Sequence, residues 1–401
     1  MLVFNSGSSS LKHRLYAEDP DGSLRLIASG MVNAFGDQAK FTWLANGQRR
    51  ETRVAIHNHR EATARVLRWL RDLTPDAAGR AVTAIGHRVV HGGEIFREPV
   101  LLTPETIARI ESLCALAPIH NPIALEVIRA CRLELEDTLP MVAVFDTAFH
   151  ALLPQPARTY ALPQEWTRAH GIRRYGFHGI AHRYMYERCL ALHGEPASEP
   201  RVITFQLGNG CSVAAIRAGR SVETSMGYTP LEGLIMSTRS GDVDPGVLVQ
   251  LVAAGGLSAT ALAHGLNHES GLKGLSGVTS DMRELLRLEA DGHAGARLAI
   301  DAFCHRARKY LGAYAAVLGG ADAVVFGGGI GEHAALIRAR ICAGMEWCGL
   351  RLDAAANAAA VGIEGRISTP RSAPAVYVIP VNEELLIARD ARQLLASRGA
   401  G

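Results

Sequence analysis

Asn5-Ser6-Gly7-Ser8-Ser9-Ser10-Leu11-Lys12 lies between the apolar run Leu2-Val3-Phe4 and an alternating run that ends in Leu15-Tyr16. Strand, tight polar loop, strand is the expected local structure. Glycine and serine present closely spaced backbone N–H groups and hydroxyls, and Lys12 adds a point charge, which is the chemistry of a phosphate cradle. The Walker pattern G-x-x-x-x-G-K-S/T is missing and no helix pattern follows. A plain Gly/Ser hairpin fits the same residues.

Further constellations could do related chemistry. In Gly86-His87-Arg88-Val89-Val90-His91-Gly92-Gly93, Arg88 sits at a strand end where its fork can clamp a carboxylate or phosphate, or stand exposed on a turn. In Phe145-Asp146-Thr147-Ala148-Phe149-His150 a carboxylate follows a fully apolar run, placed for a metal or water, or for capping a helix. Arg173-Arg174-Tyr175-Gly176-Phe177-His178-Gly179 sets His178 beside glycines that allow close backbone approach to a ligand. The stretch from Ser225 to Gly246 is too rich in Gly, Pro and small polar residues for a regular element. Long loops of that kind usually carry function. Within it, Arg239 could reach a transferring phosphoryl group, and Asp242 with Asp244 could bind a metal or make Asx turns. Ala323-Val324-Val325-Phe326 leads into a glycine loop that ends Gly331-Glu332-His333, and a helix is expected over Ala334–Ile341. Such a loop can hold a nucleotide at a helix N-terminus. A dinucleotide fingerprint is disfavoured, because no acidic residue stands at a strand end about 20 residues on.

Strands and helices alternate around these positions. Strands are expected at Ala84–Val90 and Met141–Phe145, and helices at Glu61–Leu73, Glu105–Leu116 (with Thr103-Pro104 as start signal), Ala354–Ala360 (capped by Asp353) and Glu383–Leu395. A second strand–loop–strand unit, Val202–Leu207, Gly208-Asn209-Gly210-Cys211-Ser212, Val213–Ile216, repeats the first about half a chain later. Self-similarity of this kind points to a duplicated α/β domain. Pro196–Pro200 reads as a surface loop before it. The 401 residues suffice for two domains. Hydrophobic content of 48%, 20% charge and a net charge of +3 describe a soluble globular protein without the basic stripe of a nucleic-acid binder. No apolar run approaches the length of a membrane span, and the polar loop after Phe4 leaves no room for a signal h-region. The seven cysteines form no C-x-x-C pair, which suits free thiols in a reducing cytoplasm.

Taken in order, the segments F-N-S-G-S-S-S-L-K, G-H-R-V-V-H-G-G, F-D-T-A-F-H, R-R-Y-G-F-H-G, L-G-N-G-C-S, S-M-G-Y-T-P-L-E-G, S-T-R-S-G-D-V-D-P-G, G-G-G-I-G-E and N-E-E-L resemble the acetokinase family of the actin, sugar-kinase and heat-shock ATPase superfamily. The resemblance runs from Val3 to about Leu394. It implies an α/β fold of two duplicated ribonuclease-H-like domains around a cleft: residues 1–148 with 384–401 forming the first, and 149–383 a nucleotide-binding and dimerisation domain. The implied reaction is reversible, in-line phosphoryl transfer from ATP to acetate, giving ADP and acetyl phosphate, with Mg²⁺ or Mn²⁺, in a cytoplasmic homodimer without nucleic-acid or membrane partners. By resemblance, Asn5 and Glu383 hold the metal environment, and Ser8, Ser10 and Lys12 face phosphates. Arg88 binds the acetate carboxylate or its phosphorylated form, Asp146 is the essential acid near metal and acetate, and His178 and Arg239 stabilise the transferring group. Gln206, Leu207, Gly208, Asn209 and Gly210, then Asp281, Met282 and Arg283, then Gly329, Ile330, Gly331, Glu332 and His333, line the nucleotide site. Val90, Leu116, Phe177 and Pro230 wall the acetate methyl.

Three positions depart from the family pattern: Gln206 stands where His is usual, Ser237 where Gly is usual, and His333 where Asn is usual. Gln206 and His333 fall on the nucleotide side, so the phosphoryl donor, ATP or pyrophosphate, is the inference they touch. Acetate against propionate is a second open choice, since one methylene is worth only about 1–3 kcal/mol in an apolar pocket.

Overall fold

The computed structural model describes residues 1–7, 9–73, 82–135, 139–194, 198–254 and 256–399. Ser8 and the Pro196 end of the expected surface loop lie outside them. The chain divides into two compact units, Met1–Ala148 with Asn382–Gly401, and Phe149–Val381. Asn382 and Glu383 therefore belong to the first unit.

The first unit carries β1 (Leu2–Gly7), β2 (Ser10–Glu18), β3 (Leu24–Asn33), β4 (Gly36–Ala45), β5 (Gln48–Ile56), β6 (Ile85–Val89), β7 (Val100–Leu101) and β8 (Met141–Phe145). They form one sheet in the order β5-β4-β3-β2-β1-β6-β8-β7. The second unit carries β9 (Arg201–Leu207), β10 (Cys211–Arg217), β11 (Arg220–Thr224), β12 (Ala323–Gly327), β13 (Gly365–Arg366) and β14 (Ala375–Val378), in the order β11-β10-β9-β12-β14-β13.

Five strands of each sheet share one order and one set of directions. In β3-β2-β1-β6-β8 an antiparallel meander is followed by two parallel strands, and β11-β10-β9-β12-β14 does the same. The duplication read from the two strand–loop–strand segments is thus a duplication of the whole sheet. Parallel strands are covered on both faces and need near-continuous apolar sequence. Met141–Phe145 and Ala323–Gly327 are buried at every residue. By contrast β5 is an edge strand whose exposed Arg49, Arg50 and Arg53 discourage pairing with another chain.

The helix Glu383–Gly399 closes the first unit and buries Leu386, Ile387, Ala388 and Ala391. It comes so close to β6 that a Cβ on Gly86 would lie 2.8 Å from Ile387 Cγ2. That approach sets Glu383 beside β1. The helix expected over Glu105–Leu116 is shorter, Pro104–Ser112. Backbone bonds from Leu113 to Ile110 and from Cys114 to Glu111 tighten its last turn and end it, leaving Leu116 in the turns beyond. Asp353 caps Ala354–Ala359 as expected, accepting from the Ala356 N–H at 3.0 Å. All seven cysteines are free, and among the described residues no helix is long and apolar enough to cross a membrane.

The core of the first unit holds polar residues with a consequence for stability. His13 is buried between Phe41 and Trp69, and neither ring nitrogen finds a hydrogen-bond partner among the described residues. Burial pushes His13 down to about 3, and His87 likewise. Between the unfolded value of about 6.5 and the folded value, the unfolded chain binds protons that the native state refuses. Stability is therefore present above pH 6.5 and lost as pH falls toward 3, by about 1.4 kcal/mol per pH unit for each such histidine. Urea denaturation at pH 5 and pH 7.5 checks this: the midpoint should drop at the lower pH, and His13→Leu should flatten that drop.

Candidate active site

Register brings the first cluster together. Asn5 pairs with Lys12 across β1 and β2, and the β1–β6 pairing runs Phe4 to His87, which sets Arg88 beside Asn5. Strand β8 ends at Phe145, and the Asp146 backbone N–H donates to Val89 O at 3.0 Å. The Asp146 carboxylate has no exposure and takes both forks of Arg88, Nε at 3.0 Å and Nη2 at shorter range. Arg88 Nη1 donates to Asn5 Oδ1 at 3.1 Å. Asn5 Nδ2 donates in turn to Glu383 Oε2 at 2.8 Å and Glu384 Oε1 at 2.9 Å. The capping reading of Asp146 gives way to an orienting one: a bidentate carboxylate fixes the plane of the guanidinium.

This cluster is rich in negative charge. Desolvation lifts the Glu383 carboxyl above the usual range, Arg88 pulls the other way, and Asp146 and Glu384 add repulsion. Arg14 Nε lies 3.4 Å from Glu384. Hard oxygen donors with surplus negative charge suit a magnesium ion. Among the described residues no three His, Cys, Asp or Glu side chains close around a metal. One or two carboxylates, with waters and substrate phosphate completing the shell, is the mode such a donor set fits.

The second cluster belongs to the second unit. His178 precedes the helix Gly179–His193 and has φ +58°, a left-handed conformation that a non-glycine side chain adopts at a cost of order 1–3 kcal/mol. Its Nδ1 lies 2.8 Å from Ser212 Oγ. Glycine at 210 leaves space in front of it: a Cβ there would stand 3.3 Å from His178 Nε2 and 3.5 Å from Arg239 Nη1. Imidazole and guanidinium thus converge on one point of the loop Gly208-Asn209-Gly210. Arg239 is half-buried, and its polar contacts are Pro230 O at 3.2 Å and Met236 Sδ at 4.0 Å. No carboxylate among the described residues pairs with it, and burial lowers its proton affinity. A desolvated cation without a counter-charge is an anion site in chemical terms.

The loop between β11 and the helix Pro245–Ala253 carries Arg239, and hydrogen-bonded polar groups hold it. Glu232 accepts from Arg174 Nη2 at 2.7 Å and from Tyr160 O–H. Asp242 accepts from the Gly233 N–H and from Tyr310 O–H, both at 2.9 Å. Asp244 caps the helix, accepting from the Gly246 N–H at 2.8 Å. Of the two readings of this pair, Asp244 takes the Asx-turn one, and Asp242 spends both oxygens on Gly233 and Tyr310. Ser237 donates to Asn209 Oδ1 at 3.4 Å, and its N–H to Asn209 O at 3.1 Å, so this loop is tied to the Gly208–Gly210 turn.

The remaining residues fall out unevenly. Ser10 follows the β1–β2 turn opposite Gly7 and Lys12 projects on the Asn5 face. Gln206 pairs with Ser212 across β9 and β10, and its Oε1 is buried with no partner among the described residues, an acceptor that lacks a donor. Leu207 is core. The glycine run is not a loop before a helix at Ala334: Gly328–His333 is itself a short helix, and Ala335–Cys342 is the next. The reason is Glu332, whose Oε1 accepts from the Gly328 and Val381 N–H groups at 2.9 and 3.1 Å. A Cβ on Gly328, at φ +75°, would also strike Leu207 O at 2.6 Å. Gly329 and Ile330 lie on that turn with Gly331 buried beneath, and His333 Nδ1 stands 3.1 Å from Gly329 O. Asp281 caps Met282–Ala290 and pairs with Arg283, while Met282 is buried. No hydrogen bond links 281–283 to the glycine turns among the described residues. Val90 and Phe177 are buried, and Leu116 and Pro230 half-buried.

Against known proteins, the sequence model of the acetokinase family matches residues 1–389. The chain belongs to the acetokinase family. An acetate kinase of Solibacter usitatus is 48% identical over 403 residues, covering 97% of each chain. The crystal structure of Porphyromonas gingivalis acetate kinase superposes with a TM-score of 0.89 at 41% identity, over 98% of this chain and 99% of that one. A propionate kinase of Francisella tularensis gives 0.87 at 38%, over 98% of each. The mixed α/β architecture of two duplicated halves is the fold of this family.

Sequence reasoning missed Thr204, His182 and Ser212, which stand behind His178. His182 falls one helical turn after His178, and Ser212 closes the L-G-N-G-C-S segment. Those two spacings were the available signal.

Proposed function

We propose that the protein is an acetate kinase that moves the γ-phosphoryl group of ATP to acetate by direct in-line transfer. The observation that carries the reading is Arg239, a half-buried guanidinium without a carboxylate partner among the described residues, converging with His178 on Gly210. An acetate oxygen forms the new bond to phosphorus as the bond to the ADP oxygen breaks. The nucleophile is already a carboxylate, so no general base is required. That leaves Asp146 to orient Arg88 and Arg88 to hold the acceptor with the N–H groups Asp146 and Asn5 do not occupy. Arg239 and His178 stabilise charge on the equatorial oxygens, which is most of what such a transfer asks of a protein. Asn5 and Glu383 would hold a magnesium ion, Mn²⁺ serving in its place, and the ion supplies charge neutralisation on the phosphates. Lys12 and Ser10 face phosphate. The turns at Gln206–Gly210 and Gly329–His333, with Asp281–Arg283, take the nucleotide. Val90, Leu116, Phe177 and Pro230 wall the methyl group.

Trapping the acyl phosphate with hydroxylamine tests this across acids and donors. Acetate with Mg-ATP should give the highest kcat/KM. Propionate ahead of acetate, or pyrophosphate ahead of ATP, would replace the reading with a propionate or pyrophosphate-using kinase.

The homodimer is proposed on the resemblance and on one supporting feature. The helix Pro245–Ala253 is almost wholly apolar yet buries no residue, with Val249 68% exposed beside Val247, Leu251 and Val252. Light scattering should give twice the chain mass for the wild type and a monomer for Val249→Asp combined with Val252→Asp. A variant that stays dimeric excludes this face. A cytoplasmic location and supply of acetyl phosphate toward acetyl-CoA complete the proposal.

A further inference from the structure

Four side chains of the second unit form a line of short hydrogen bonds that ends at His178. Thr204 Oγ1 lies 2.7 Å from His182 Nδ1, His182 Nε2 lies 2.7 Å from Ser212 Oγ, and Ser212 Oγ lies 2.8 Å from His178 Nδ1. Thr204, His182 and Ser212 are wholly buried. Nitrogens and hydroxyls alternate along the line, so the direction of one proton dictates the others.

Two directions are open to a line of neutral groups. In one, the Thr204 hydroxyl donates to His182 Nδ1, His182 Nε2–H donates to Ser212, and Ser212 donates to His178 Nδ1. In the other, His178 Nδ1–H donates to Ser212, Ser212 to His182 Nε2, and His182 Nδ1–H to Thr204. The ends decide between them. Thr204 Oγ1 has no second partner among the described residues, so in the second direction its own proton is buried with no acceptor. A buried donor left unmet costs about 1–3 kcal/mol. In the first direction each of the three protons shared along the line has an acceptor, and the remaining one, on His178 Nε2, sits at the half-buried end that faces Gly210. A doubly protonated His182 would spoil either direction, and burial, first, with His150 and His178 nearby, holds it well below the usual histidine range.

We propose that Thr204, His182 and Ser212 are positioning residues that fix His178 as a neutral imidazole with its proton on Nε2. That nitrogen is the one that faces Gly210 together with Arg239. His178 then meets a phosphoryl oxygen as a pre-aimed N–H donor, and Arg239 supplies the positive charge. The role of that donor rests on the acetate kinase reading. The tautomer does not.

The test is nitrogen-15 NMR of the full-length protein labelled at histidine rings, near pH 8, with His178 assigned by its disappearance in His178→Gln. The expected spectrum shows His178 with bare Nδ1 and protonated Nε2. A protonated Nδ1, in a neutral or a charged ring, overturns the proposal, and this holds whether or not the protein phosphorylates acetate. Thr204→Val should move His178 toward the Nδ1–H form and lower kcat about tenfold, the worth of one hydrogen bond, with KM for acetate and ATP within about twofold. Thr204→Ser should restore spectrum and rate. Loss of rate in Thr204→Val with an unchanged His178 spectrum, or no rescue by serine, also counts against it. If Thr204→Val fails to fold, the wild-type spectrum decides alone.

Discussion

Arg239→Ala should lower kcat by about 10³-fold or more, the range in which a transition-state arginine acts in phosphoryl transfer, while leaving unfolding free energy within about 1 kcal/mol of wild type. The two halves of this expectation have separate causes. Arg239 has no carboxylate partner among the described residues, so its removal strands no buried anion there. It gives up one bond to Pro230 O and relieves a desolvated cation, and these terms oppose each other. A site held for a substrate rather than for the fold behaves in this way. Hydroxamate rates and urea denaturation on the same preparation measure both. A variant that keeps its rate, or that loses rate only by losing stability, would place Arg239 among structural residues.

Asp146→Ala should fail in the opposite pattern, losing activity and stability together. The carboxylate has no exposure, and Arg88, at 15%, is spent on it through two nitrogens. Removing one partner of such a pair strands the other, at a cost of about 3–5 kcal/mol; Glu383 and Glu384 nearby hold this to the lower end. Released from its fork, Arg88 no longer presents a fixed plane to the acceptor, and a displacement of about 1 Å costs about 10²-fold in rate. Adding Arg88→Met should recover most of the stability and none of the activity. A single Asp146→Ala variant as stable as wild type would mean the pair does not form.

These expectations draw on a site that is partly legible in sequence. Lys12 and Arg88 could be named from residue type and place, Lys12 on the alternating strand after a Gly/Ser turn and Arg88 at a glycine-framed strand end, whereas Asn5 read as a turn residue on its own and took a site role only through the resemblance. Duplication was visible because the first strand of each sheet is apolar and runs into an Asn/Gly/Ser turn. What escaped was decided by distant partners. Four glycines between Gly327 and Gly331 read as a loop, yet the Glu332 carboxylate accepts two backbone N–H groups, one of them from Val381, and a helical turn results. For Asp242 and Asp244 the sequence offered a metal or Asx turns; Asp244 makes such a turn with the Gly246 N–H, and only the distant Gly233 and Tyr310 show where Asp242 is spent. Thr204 looks like any strand threonine until His182 is seen against it.

Rapid quench of the protein turning over Mg²⁺, acetate and ATP labelled in its γ-phosphoryl group tests the central claim most directly. Direct transfer predicts that label passes from ATP to acetyl phosphate with none on the protein at any time, and that no transfer occurs without acetate. Label that accumulates on the protein at a rate matching turnover, or no acetyl phosphate from folded protein that binds ATP, would contradict it.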